Sequence, residues 1–142
     1  PRPPEPPEPP GTLANVQVEV TVTEQGAAGT PERKTVTLTA ADGSPVRSDS
    51  RGSLVRGALG LTAAEFNLSV RPRIQANGLV RVEMSLHYVA GLAAGDAAAR
   101  PTTINQNLTV LLPSGRPMTV SRAADPASDR RLGVEVTATV LK

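Results

Sequence analysis

The stretch FNLSVRPRIQANGLVRVEMSLHY, residues 66–88, decides the fold class. Phe66, Leu68, Val70 and Ile74 recur at period two, and Val80, Val82, Met84, Leu86 and Tyr88 do the same on the far side of Asn77-Gly78. Alternation at period two marks a strand with one buried face. Asn-Gly between two such runs is the strongest short-range hairpin signal, since both residues tolerate a positive φ. Pro72 interrupts the first run and has no amide hydrogen to give a ladder, so it belongs at an edge or a bulge.

The same period extends outward in both directions. Val16, Val18, Val20 and Val22 share one phase, with Gln17, Glu19, Thr21 and Thr23 on the other. Residues 26–31, Gly-Ala-Ala-Gly-Thr-Pro, break that strand, residues 34–40 resume it with Val36 and Leu38 inward, and Asp42-Gly43 supplies a turn. Residues 44–64 carry the weakest signal. Ser48 to Ser53 is polar and reads as loop, Leu54-Val55 with Leu59 reads as a short edge strand, and Thr62-Ala63-Ala64-Glu65 reads as a loop in preference to a capping box. Residues 91–100 read as a flexible Ala/Gly loop. Ile104, Leu108, Val110 and Leu112 mark a further strand, Pro113-Ser114-Gly115-Arg116 turns it into Met118-Thr119-Val120, and the polar stretch 121–131 reads as loop. Val134, Val136, Ala138 and Val140 form the inward face of a last strand over 132–141. The sum is an all-β chain, an antiparallel sandwich or open barrel of about seven strands.

Composition narrows the possibilities. The chain has 142 residues, one Phe, one Tyr, no Trp and no Cys, so its core rests on aliphatic side chains and no disulfide, thiolate nucleophile or cysteine-based zinc site can form. Its net charge is +2, with the arginines interspersed among acids and no aromatic platforms for bases, which argues against nucleic acid as a partner. No apolar run reaches the roughly 20 residues of a membrane-spanning helix.

The chain opens on Pro1-Arg2-Pro3-Pro4-Glu5-Pro6-Pro7-Glu8-Pro9-Pro10. Proline at this density excludes helix and sheet and favours a polyproline II rod of roughly 30 Å. The expected organisation is a tail over 1–11 and a single β domain over 12–142. A chain starting at proline fits a processed N-terminus or a cut boundary, and a Pro/Glu spacer suits an exported, extracellular or cell-surface protein, with the periplasm as the alternative. The rod is either a passive spacer or a docking element; docking is the expectation, because a preformed rod loses little entropy on binding.

Candidate chemical sites are few. His87, the one histidine, falls on the outward phase of its strand with no nucleophile motif nearby and reads as a surface residue. Asp42, Asp49, Asp96, Asp125 and Asp129 fall in expected loops without the ligand spacing of a calcium loop, and Arg122, Arg130 and Arg131 read as neutralising Asp125 and Asp129. Asn67-Leu68-Ser69 and Asn107-Leu108-Thr109 match the glycosylation sequon on outward phases, a coincidental match in a bacterial chain. The expectation is no catalytic, cofactor or metal site and no small-molecule substrate.

Two resemblances follow. Leu68, Val70, Pro72 and Ile74, the Asn77-Gly78 turn, Val80 and Val82, and then Gly115 and Val120 resemble the strand pattern of bacterial secretins and related pilus-assembly proteins, over about a third of the chain. Residues 121–141 resemble exported bacterial β-proteins without an assigned activity. The resemblance implies export and an all-β fold. It does not imply a channel, because the gate segment, long membrane-spanning hairpins and N-terminal ring domains of secretins have no counterpart here.

Two functions fit. The first is a structural subunit of a fibre or homo-oligomer, with Pro3, Pro4, Pro6, Pro7, Pro9 and Pro10 of the tail and Val16, Val18, Val20 and Val22 as the assembly interface through strand addition to neighbours. The second is an envelope binding module tethered by its proline spacer, with loops 44–64, 91–101 and 121–131 as recognition surface.

Overall fold

A computed structural model of the chain describes Pro4 and residues 14–25, 32–57, 60–90, 102–124 and 131–141. Eight strands follow in order: β1 (Asn15–Gln25), β2 (Glu32–Ala41), β3 (Val46–Gly57), β4 (Gly60–Ile74), β5 (Leu79–Ala90), β6 (Thr102–Pro113), β7 (Met118–Ala124) and β8 (Arg131–Leu141). They form two antiparallel four-stranded sheets, ordered β2-β1-β8-β7 and β3-β4-β5-β6. Neither sheet closes on itself, so the architecture is a sandwich, with eight strands where the sequence pattern gave about seven.

The alternation read from the sequence is the core. Val16, Val18, Val20 and Val22 face Leu68, Val70, Val80, Val82, Leu86 and Tyr88 across the layers, joined by Leu112, Val134, Val136 and Ala138. Each of the four β1 valines is 0% exposed. Burying one such side chain stabilises the fold by roughly 1.5–3 kcal/mol. β2 lies over β3 and β4, and β8 lies over β5 and β6.

Three glycine turns sit at one end of the sandwich. Gly43, Gly78 and Gly115 have φ of 81°, 83° and 80°, a region open to glycine at no steric cost. The β4–β5 hairpin is closed by Gly78 N–H donating to Gln75 O at 3.0 Å and Gln75 N–H donating to Leu79 O at 2.7 Å. Asn77 keeps a negative φ, so only the glycine crosses into the left-handed region. The turns at Asp42-Gly43 and Ser114-Gly115 do something different: each carries the chain from one sheet to the other, β2 to β3 and β6 to β7.

Three local expectations change. Residues 62–65 belong to β4, and the polar run 48–53 is not loop but part of β3, which continues through the expected edge-strand residues Leu54 and Val55 after a register slip between Arg51 and Leu54. Its polarity hid the strand because β3 is an edge, so alternation is not enforced on its half-covered inner phase. Residues 121–124 continue β7 instead of opening a loop, after a register shift between Thr119 and Ser121. Pro72 lies inside β4, an interior strand, opposite Val82. It is tolerated there because β3 begins only at Val46, opposite Val70, and the Pro72 carbonyl accepts Gly43 N–H at 2.7 Å on that flank. The missing amide hydrogen therefore points where no ladder partner exists. The expected loops at 26–31, 91–100 and 125–130, and the tail apart from an exposed Pro4, lie outside the described residues.

Candidate functional site

Each sheet has two open edges, and the edges stack in pairs. β2 and β3 form one flank of the sandwich; β6 and β7 form the other, where Gln106 Nε2 of β6 donates to Ser121 Oγ of β7 at 2.5 Å. Which backbone groups face outward follows from the ladder. Pro72 O and Ile74 N–H point to the β3 side, so Arg71 and Arg73 pair with Glu83 and Arg81 of β5. Alternation then turns Val80, Val82 and Met84 toward Leu112, Val110 and Leu108 of β6. The N–H and C=O groups of Asn105, Asn107, Thr109 and Leu111 are left facing the open edge. The same reasoning assigns Arg47, Asp49 and Arg51 to the outer edge of β3.

The two edges of this sheet differ in chemistry. β6, sequence TTINQNLTVLLP, has no charged residue over its 12 positions, and Leu111 is 53% exposed. Edges that avoid association usually carry charge, proline or a bulge, and within β6 only the terminal Pro113 meets that description. β3 carries Arg47 and Asp49, paired at 2.9 Å, and Arg51, paired to Glu65 at 3.3 Å. Both ion pairs are largely exposed at the arginine, which limits each to a fraction of a kcal/mol, on the order of 0.5.

The assembly residues expected from the sequence have definite places. Val16, Val18, Val20 and Val22 point into the core, and their strand is paired on both sides, with β2 and with β8. Within the subunit β1 therefore offers no free edge; a neighbour could receive it only by exchange for its own copy. Of Pro3, Pro4, Pro6, Pro7, Pro9 and Pro10, only Pro4 is described, and it is exposed.

The outer face of β4 and β5 carries a polar chain. His87 Nδ1 contacts Asn105 Oδ1, His87 Nε2 lies 3.2 Å from Glu65 Oε2, and Ser85 Oγ donates to Asn107 Oδ1 at 2.6 Å. The chain of contacts runs Arg51–Glu65–His87–Asn105 across all four strands, and it ties the sheet together laterally. His87 is thus a partly exposed surface group, as its phase indicated. Asn67 and Asn107 share that outer face.

A second polar cluster closes the end of the core away from the glycine turns. Tyr88 O–H donates to Glu24 Oε1 at 2.7 Å, Lys34 Nζ stands 5.7 Å from the ring centroid, and Phe66 meets the ring edge-on at 5.5 Å and 77°. The two aromatic residues of the chain are therefore neighbours, and the tyrosine gives a buried ring a polar exit. Asp42, one of the acids screened for metal binding, accepts Ile74 N–H at 2.8 Å, and Asp49 pairs with Arg47. No group of three or more metal-ligating side chains occurs among the described residues, and Asp96, Asp125 and Asp129 lie outside them. No helix of the described residues is long and apolar enough to cross a membrane, which says nothing of crossing by strands.

The feature that sequence reasoning missed is a groove of about 590 Å³ on the β1–β8–β7 side, lined by Thr23, Gln25, Arg122, Arg131, Gly133 and Glu135 among others. Arg122 and Arg131 make no ion pair or side-chain hydrogen bond among the described residues. Nine positions separate them in sequence; the β7–β8 register, with Arg122 opposite Gly133 and Ala124 opposite Arg131, brings them together.

No family model and no curated protein matches the chain. Among solved structures it resembles the type II secretin GspD of enteropathogenic Escherichia coli, with TM-score 0.61 and 12% identity over 91% of this chain and 69% of that one. It also resembles Aeromonas hydrophila ExeD, with TM-score 0.62 and 11% identity over 91% of this chain and 49% of that one. The Vibrio cholerae type IV competence pilus secretin PilQ gives TM-score 0.56 and 13% identity, over 91% and 61%. The chain thus spans from about half to two-thirds of these longer proteins. At such identities the likeness is one of fold, and it falls on the family that the strand pattern of residues 68–120 resembles.

Proposed function

We propose that this chain is a non-enzymatic subunit of an exported bacterial cell-envelope homo-oligomer, whose copies pair head to tail along their sheet edges and are further joined by the N-terminal tail. The single observation that carries the reading is the pair of flanks. Four antiparallel strands per sheet is an even number, so the β3 of a second copy in the same orientation runs antiparallel to β6, and its β2 runs antiparallel to β7. One contact extends both sheets at once, and main-chain hydrogen bonds supply the affinity. Such a contact is heterologous: it closes into a ring or propagates as a fibre according to the rotation between copies. The uncharged β6 edge, the secretin fold and the absence of a catalytic constellation among the described residues all support it. The secretins that the chain resembles come from secretion and pilus assemblies of bacteria, which supports an exported location.

Thr109→Pro is the decisive variant. It removes an outward-facing N–H while sparing the β5–β6 ladder. Light scattering and negative-stain microscopy of the full chain are expected to show multi-subunit particles, and loss of the edge-paired particles for Thr109→Pro with an unchanged circular-dichroism spectrum. A wild-type chain that is strictly monomeric sinks the proposal and leaves the tethered binding module.

A further inference from the structure

We infer that the groove along the outer face of β8 is the docking site for residues 1–10 of a second copy of this chain stacked end to end on the first. This rests on the proposed homo-oligomer and identifies where its tail goes.

Gly133 gives the first observation. It lies inside β8, an interior strand, where glycine weakens the sheet. Its φ is not positive, and a Cβ built on it would meet nothing within 4 Å. Nothing in the packing of the described residues requires glycine there. Its effect is to leave the floor of the groove bare.

Charge order gives the second. Along β8 the groove presents Arg131 at the end level with Gln25, then Arg122 opposite Gly133, then Glu135 level with Thr21. In a polyproline II rod with three residues per turn, Glu8, Glu5 and Arg2 fall on one face, about 9 Å apart. Successive groove positions two strand residues apart are separated by about 7 Å, a mismatch that flexible arginine side chains absorb. Glu8 on Arg131, Glu5 on Arg122 and Arg2 on Glu135 make three opposite-charge pairs. The reverse direction would set Arg2 on Arg131 and Glu8 on Glu135.

Polarity gives the third. The tail leaves the body before Ala14, at the glycine-turn end, whereas Arg131 is at the opposite end, across from Gln25. From Ala14 to Thr23 is roughly 30 Å along the strand, and Glu8, six residues before Ala14, reaches roughly 20 Å. The chain's own groove is therefore out of reach of Glu8. A copy stacked with its glycine-turn end on this copy's Arg131 end delivers Glu8 first and Arg2 deepest, in the order the groove requires. Such a contact runs along the strands and is separate from the sideways pairing of edges.

The test uses the full chain with Glu5→Ala and Glu8→Ala, so that its own tail does not compete. A fluorescent peptide of residues 1–10 is expected to bind it saturably in an anisotropy titration. Adding Arg122→Glu and Arg131→Glu weakens the peptide by roughly tenfold or more, and a peptide carrying Glu5→Arg and Glu8→Arg recovers the affinity. Gly133→Val is the second variant: filling the floor raises the thermal midpoint while weakening the peptide several-fold. No saturable binding, affinity indifferent to charge reversal, or full affinity in Gly133→Val overturns the docking site. If it is overturned while Thr109→Pro still dissolves the oligomer, the edge-paired reading stands alone; if the wild type is also monomeric, both fall.

Discussion

β1 and β6 are strands of nearly equal length, 11 and 12 residues, each mixing aliphatic side chains with Thr, Asn and Gln, yet they hold opposite positions in the molecule. β1 is bonded to β2 on one side and β8 on the other, and its four valines are fully buried. β6 is bonded to β5 alone, and its outer edge carries unpaired backbone groups and an exposed Leu111. β1 is where the fold is held together; β6 is where a neighbour can be added. Side-chain composition does not separate the two roles, because backbone hydrogen bonding decides them.

One substitution placed in both strands breaks the comparison most sharply. Val20→Pro removes an N–H that bonds to β2, since Ala14 O accepts Asp42 N–H and even positions of β1 share that side. It is expected to cost about 3 kcal/mol or more, enough to leave a marginal domain largely unfolded in a urea titration. Thr109→Pro in β6 is expected to shift the urea midpoint by less than about 1 kcal/mol while abolishing edge-to-edge assembly. Equal destabilisation by the two prolines would erase the distinction between them. Next in size is Tyr88→Phe, which removes the hydroxyl that bonds Glu24 and so tests the tie between β5 and β1. A loss of about 1 kcal/mol is expected with the oligomer intact. Leu111→Lys is the mildest change for the fold. Placed on the exposed face of the β6 edge, it adds the kind of charge that edges use against association. The expected result is an unchanged thermal midpoint and a weaker, salt-sensitive oligomer by light scattering.

The sequence was most legible where one face of a strand is buried and least legible at the edges. Residues 66–88 read correctly because both strands of that hairpin have a covered face, and the period of two is forced on them. The polar run 48–53 escaped notice because β3 has one paired side and its inner phase is poorly covered, with Ser48 half-buried and Ser50 exposed, so burial forces no apolar residue there. Ser121 to Ala124 was lost for a related reason: the register shift after Thr119 resets the phase of β7, so a period-two reading stops there. The Arg122–Arg131 groove had no sequence signal of its own, because its two arginines belong to different strands. Their expected partners Asp125 and Asp129 lie outside the described residues.

By itself the sequence determined the period of burial, the three glycine turns and the aliphatic core. Those depend on interactions within a few residues: alternation of side chains, and the freedom of glycine at positive φ. Only the tertiary structure decided that the turns at Gly43 and Gly115 cross between sheets while the one at Gly78 makes a hairpin. It also decided that β1 is interior and β6 an edge. Each of those outcomes depends on which distant strand supplies the second row of hydrogen bonds, and local alternation is the same whichever strand that is.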